Sequence, residues 1–127
     1  MAIHKFTKLI DQGKEIQIYG DGASKRDYTY IDDIVTGIVN SLEREFPFEI
    51  FNLGDSKTVE LKELISLIEE ELGKKAVVRK MPAKLGDMSI TYANISKARK
   101  MLDYDPKVSL EAGIKAFIKW YKTKRGD

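Results

Sequence analysis

Apolar positions recur along this chain with two periods, and each change of period marks a change of element. From Ala2 to Gln12, Ile3, Phe6, Leu9 and Ile10 fall on one side of a helix, and Gly13 can close it in a left-handed turn. Ile16-Gln17-Ile18-Tyr19 then alternates as a strand does. Gly20 and Gly22 break that run, and Tyr28-Thr29-Tyr30 is read as the returning strand. Helical spacing resumes with Ile31, Ile34, Val35, Ile38, Val39 and Leu42, introduced by Asp32 and Asp33, carboxylates suited to accept from free N–H groups at a helix start. Gly37, inside that helix, leaves room for a close neighbour.

Pro47 interrupts the pattern, and Phe48 to Gly54 reads as a strand ending in a glycine turn, with the amide of Asn52 set among apolar residues. Val59 to Leu72 is a strongly amphipathic helix, with glutamates opposite its leucines and Gly73 as its stop. Ala76 to Lys80 follows as a strand, and Met81 to Asp87 as a loop punctuated by Pro82 and Gly86. Asn94 can cap a short helix over Ile95 to Leu102, and Ser109 a last one with Ile114, Phe117, Ile118 and Tyr121 on its apolar side. Trp120 and Tyr121 are expected to pack down as anchors. The pattern predicts a small mixed α/β fold of helices and short strands, one domain over residues 1–127.

Composition narrows the function classes. Charged residues make up 33% of the chain but the formal net charge is only +2, and the lysines and aromatics form no single basic stripe, so nucleic acid is not the expected partner. No apolar run approaches the roughly 20 residues of a membrane helix, and the first residues lack the apolar core of a signal peptide. Cysteine is absent, which excludes disulfides and thiol chemistry. The expectation is a cytoplasmic protein without membrane contact. His4 has no carboxylate or serine partner nearby in the sequence and reads as a surface residue.

The candidate chemistry lies between Tyr19 and Asp33. An aromatic plane at Tyr19 can stack on a base, and the guanidinium of Arg26 can fork onto phosphate oxygens, which together make half of a nucleotide site. The same residues also make a surface hairpin in which Arg26 only pairs with Asp27 or Asp21, and the residues alone leave both readings open.

The stretch Tyr19-Gly20-Asp21-Gly22, Arg26-Asp27-Tyr28, Tyr30-Ile31 and Asp33 resembles the YG-x-G-x-x-x-RD[FY]-x-Y[VI]-x-D segment of extended short-chain dehydrogenase/reductases that act on nucleotide sugars, and is most similar to the UDP-glucuronate and UDP-glucose 4-epimerases. The likeness continues in register through Phe51-Asn52-Leu53-Gly54, Met81 to Asp87, Thr91-Tyr92-Ala93-Asn94, Ser96-Lys97-Ala98 and Trp120-Tyr121. It implies a UDP-sugar as ligand, with Tyr19 lining the uracil pocket, Arg26 and Lys84 neutralising the diphosphate, Asp87 accepting from the ribose hydroxyls and Asn52 in a supporting place near the nucleotide. Lys84 stands where the family has arginine in its R-x-GD element, so a point charge replaces a bidentate fork, and Asn94 stands where the family usually has aspartate.

In complete relatives the resemblance implies NAD, a glycine-rich turn opening a helix to cradle it, and a Tyr-x-x-x-Lys pair to move the proton. Gly20-Asp21-Gly22 lies between strand-like runs, and Tyr19, Tyr28, Tyr30, Tyr92, Tyr104 and Tyr121 are followed four residues on by Ala23, Asp32, Ile34, Ser96, Val108 and Arg125. The chain therefore reads as the C-terminal part of such an enzyme, truncated relative to the family, with no catalytic or metal residue of its own and no cofactor, and inert alone. Its apolar helix over 31–42 and the strand near Ile50 would then lack their usual cover, and a homodimer or larger assembly is expected. The rival readings are a non-catalytic nucleotide-sugar binding module and a purely structural oligomerisation domain.

Overall fold

A computed structural model describes residues 2–83 and 86–125, the side chain of Arg125 excepted. The elements in chain order are α1 (Ala2–Asp11), β1 (Glu15–Tyr19), β2 (Lys25–Arg26), α2 (Ile31–Leu42), β3 (Val59–Glu60), α3 (Leu61–Leu72), β4 (Val77–Met81), β5 (Ile90–Thr91), α4 (Ser96–Leu102) and α5 (Leu110–Arg125). Mixed helices and short strands were the expectation, and that is the architecture.

One layer is the parallel pair β1 and β4, in register from Glu15 opposite Val77 to Tyr19 opposite Met81. Its inner side chains, Ile16 and Ile18, are buried against α1, α3 and α5 with Phe6, Ile10, Leu64, Ile65, Ile68, Leu72, Ile114 and Ile118. Alternation on β1 and helical spacing on α1 and α3 thus deliver their apolar sides to one core. Gly73 ends α3 with φ at 67°, in the left-handed region a glycine enters without steric penalty. A second, smaller core of Ile95, Ala98, Leu102 and Tyr104 lies under α4, with Phe46, Phe51, Leu53 and Ala93 around it.

The expected hairpin does not form. Gly20 and Gly22, at φ of 70° and 77°, carry the chain out of the first sheet instead of back along it. Strand β2 is Lys25–Arg26, not Tyr28-Thr29-Tyr30, and it lies between β3, antiparallel, and β5, parallel. The run 28–30 joins no ladder, and the Asp27 carboxylate beside it accepts from the N–H groups of 55, 56 and 93. Nor is Phe48 to Leu53 a strand: it runs without a ladder partner, since a strand exists only where a second edge meets it.

Helix α2 is inside out. Asp33 and Gly37 are its buried residues, and Asn40 and Arg44, one and two turns further along, hydrogen-bond the Leu102 and Met101 carbonyls at the end of α4. Ile31, Val35, Ile38, Val39 and Leu42 face outward, between 43% and 80% exposed. The Asp33 carboxylate does not cap its own helix as the sequence reading held. It accepts the N–H groups of Lys107 and Val108, both at 3.0 Å, and so pins the loop that leads into α5. Asn94 accepts from the Ser96 N–H at 3.1 Å at the start of α4, and Ser109 from the Ala112 N–H at 3.3 Å at the start of α5. Tyr121 is half-buried, its hydroxyl donating to Asp11, whereas Trp120 is half-exposed with its ring tilted against Phe117, so only one of the two is an anchor.

Candidate functional site

Arg26 ends β2, and its direction is set on both sides: the Lys25 N–H donates to Ser89 O at 2.8 Å and the Asp27 N–H to Thr91 O at 3.1 Å. The guanidinium is held at two points. One nitrogen donates to Lys25 O at 2.8 Å and the other to the Asp87 carboxylate at 2.8 Å. Arg26 therefore pairs with neither Asp27 nor Asp21, the partners expected of a plain surface hairpin. It pairs with the acidic residue of the loop between β4 and β5, 61 positions away. Both side chains are open enough to be reached from solvent, at 28% and 50% exposure.

Tyr19 ends β1, opposite Met81, and the Gly20 N–H donates to Met81 O at 2.9 Å. The loop from Met81 to Asp87 thus leaves from beside Tyr19 and arrives at Arg26. Lys84, assigned to the diphosphate by resemblance, lies in that loop outside the described residues. Asn52 is exposed, so the reading of a buried amide seeking partners is wrong: without a ladder on 48–53, its side chain has nothing to be buried beneath. Of the five residues singled out from the sequence, Arg26 and Asp87 are in direct contact, Tyr19 lies opposite Met81 where the loop to Asp87 begins, Lys84 lies outside the described residues, and Asn52 is exposed, two positions before Gly54.

The residue missed was Asp27. Its carboxylate accepts from the N–H groups of Asp55 and Ser56 at 3.0 Å, from the Ala93 N–H at 3.1 Å and from the Thr29 hydroxyl at 3.0 Å. Gly54 makes room for it, since a Cβ there would stand 2.7 Å from the carboxylate and 2.6 Å from the Ala93 Cβ. Buried Tyr104 donates its hydroxyl to Gly54 O at 2.9 Å beneath the same turn. Burial, with the negative charges of Asp33 and Asp27 nearby, holds that phenol above its ordinary range. Burial also raises the Asp55 carboxyl, against the lowering pull of Lys57, with Asp27 and Asp33 adding to the rise. Tyr28 is raised by burial and drawn part of the way back by the Arg26 guanidinium.

The glycine turn does not offer a dinucleotide site. Gly22 is buried against Ile18 and Lys62, and the turn opens onto β2, not onto a helix whose N–H groups could receive a pyrophosphate. This turn therefore gives a dinucleotide's pyrophosphate no place. Among the described residues no group of His, Asp and Glu could hold a metal ion, and no helix is long and apolar enough to cross a membrane.

The Arg26 strand, the glycine turn and the acidic loop lie where the chain resembles extended short-chain dehydrogenase/reductases of the epimerase and dehydratase type, and comparison with known proteins places it as a C-terminal part of such a protein. Residues 1–117 match the family described as GDP-mannose 4,6 dehydratase, and the chain belongs to it. A UDP-glucuronate 4-epimerase of Thermodesulfobacterium geofontis is 41% identical over 96% of this chain and 38% of its own length. An uncharacterized protein of Methanocaldococcus jannaschii is 49% identical over 95% of this chain and 37% of its own. Among solved structures, UDP-glucuronic acid 4-epimerase from Bacillus cereus in complex with UDP-glucuronic acid and NAD superposes with a TM-score of 0.88, at 36% identity over 98% of this chain and 40% of that one. UDP-glucose 4-epimerase from Thermotoga maritima with UDP-glucose gives a TM-score of 0.89 at 30% identity, over 98% of this chain and 40% of that one. The chain thus spans about two fifths of the length of such relatives.

Proposed function

We propose that this chain holds the UDP part of a UDP-sugar for an NAD-dependent epimerase or dehydratase, and that it is catalytically inert alone. The observation that carries the reading is the Arg26–Asp87 pair at 2.8 Å, a guanidinium at the end of β2 and a carboxylate on the loop that leaves from beside Tyr19, both open to solvent. An arginine partly held by its own strand is preorganised to meet phosphate oxygens, and loses little side-chain entropy when it does. In this assignment Arg26 and Lys84 neutralise the diphosphate, Asp87 accepts from the ribose hydroxyls, Tyr19 lies along the base and Asn52 stands at the margin. Binding of this kind positions the sugar for chemistry done by residues that this chain does not supply.

Calorimetric titration with UDP tests the reading. Measurable heat, with an affinity markedly weakened but still measurable in Arg26→Ala, supports it; no heat with the folded chain overturns it. Incubation with NAD and UDP-glucuronate is expected to give no epimer, and turnover by this chain alone would refute the inert assignment.

The inverted helix α2 supports a second, compatible reading: self-association. A helix that turns polar and small residues inward and a branched apolar stripe outward is built to be covered, and Phe48 and Ile50, at 79% and 68% exposure, add to the uncovered surface. The occupant in a solution of this chain is a second copy, giving a homodimer or larger assembly. Sedimentation that finds only monomer at high concentration would sink this reading, and an oligomer that binds no UDP would leave an oligomerisation domain.

A further inference from the structure

Arg26 sits on a strand of two residues, with backbone bonds to Ser89 and Thr91 on either side and its guanidinium on Lys25 O and Asp87. The next residue ties these short segments to others. The Asp27 carboxylate gathers three segments that are distant in sequence: its own, through Thr29; the turn at 55 and 56; and the strand leaving Asp87, through Ala93. All four donors point at two oxygens, and donors to an ionised carboxylate make bonds about twice as strong as neutral ones.

Two further features show that this is a built clasp. Ser56 is held with φ at 63°, a left-handed conformation unfavourable for a residue with a Cβ, and its N–H is one of the donors. At Gly54, any side chain would collide with the carboxylate and with Ala93 together.

We propose that Asp27 is a positioning residue for the anion site: it touches no ligand, and acts by locking the Arg26 strand to the segment that follows Asp87. This rests on the UDP-binding reading for its functional consequence but not for its structural one. If it is right, an isosteric Asp27→Asn change disorders Arg26 even where the fold survives, because a carboxamide replaces one acceptor oxygen by a donor that faces N–H groups.

The experiment is a mutant cycle of Asp27→Asn, Arg26→Ala and the double variant, read by UDP calorimetry, by thermal melts and by NMR of the Arg26 guanidinium and of the Asp55, Ser56 and Ala93 amides. Asp27→Asn is expected to lower UDP affinity about tenfold or more in the native background, and to have little effect once Arg26 is gone. The guanidinium signals are expected to be distinct in the native chain and to merge in Asp27→Asn as the side chain becomes free to rotate. Native affinity and unchanged guanidinium signals in a folded Asp27→Asn chain overturn the proposal, as does an equal affinity loss with and without Arg26. If Asp27→Asn does not fold, Thr29→Val removes one donor without touching the backbone: a several-fold weaker affinity with guanidinium broadening is then expected, and unchanged signals overturn the idea. A native chain that binds no UDP refutes the function reading alone, because the guanidinium and amide signals still decide the role of Asp27.

Discussion

Gly37→Ala sets two effects of opposite sign against each other inside α2. An alanine in mid-helix is favoured over glycine by about 1 kcal/mol, so on propensity alone the change should stabilise the chain. The structure reverses that sign. The added methyl would lie 2.7 and 2.9 Å from the two methyls of Leu53 and 2.9 Å from the Tyr104 ring. Leu53 can rotate aside, but Tyr104 is 1% exposed and tied by its hydroxyl to Gly54 O. Forcing a methylene-sized group into a site of that kind costs about 1–3 kcal/mol. The net expectation is a loss of about 1 kcal/mol, or a fall of about 4 °C in Tm for a chain of this size. Urea unfolding and scanning calorimetry read both quantities. Gly113 in α5 is the internal comparison: there a Cβ makes one tight contact, 3.0 Å to the Tyr30 ring, with its next neighbours at 3.6 Å, so Gly113→Ala should be close to neutral. An unchanged or higher Tm in Gly37→Ala would refute the packing argument, as would an equal effect at both glycines.

Thr7 is wholly buried and its hydroxyl has no hydrogen-bond partner among the described residues, so the isosteric Thr7→Val should raise stability by about 1 kcal/mol in the same unfolding assay. Tyr104→Phe gives up the bond to Gly54 O and should cost about 1 kcal/mol at neutral pH. Because the folded chain holds the Tyr104 phenol above its ordinary value of 10.0, the unfolded chain ionises first as pH rises past that value and native stability falls. Phenylalanine lacks this loss, so the gap between the native chain and Tyr104→Phe should narrow in unfolding curves taken on the alkaline side, and a constant gap would contradict the linkage. Ile38→Glu puts a charge on the exposed stripe of α2; it should shift sedimentation toward monomer and leave Tm at low concentration nearly unchanged.

The parts of this fold that could be read from the sequence are those whose cause is local. The spacing of Leu64, Ile65, Ile68 and Leu72 and the stop at Gly73 need no information from elsewhere in the chain, and α3 lies where they place it. Strands failed where their partners decide. Tyr28-Thr29-Tyr30 and Phe48 to Leu53 have strand-like composition, yet one run adjoins a carboxylate that binds other backbone and the other meets no edge. Helix α2 was placed correctly, but periodicity gives the angle of a stripe and not its direction, so the outward turn of Val35 and Ile38 could only be inferred from resemblance. At the site, the types of Arg26 and Asp87 were informative and their pairing was not, since a contact across 61 positions leaves no mark in either neighbourhood. Asp27 passed as a surface partner for its neighbour because nothing in its flanking residues names the amides of 55, 56 and 93.

The clasp and the inverted helix have one physical origin. Only five residue pairs join β1 to β4, and the strands at the site hold two residues each, so ladders cannot position the loops. Two carboxylates do it instead: Asp27 binds the amides of 55, 56 and 93, and Asp33 binds those of 107 and 108. Asp33, Gly37 and Asn40 take the inward face of α2 and Ile34 is half-buried, while Ile31, Val35, Ile38, Val39 and Leu42 are left on the outer face. The polar residues that α2 turns inward and the stripe it leaves exposed are thus two sides of one helix. A substitution that made the inner face of α2 apolar would therefore free the 107–108 loop before it changed the helix itself.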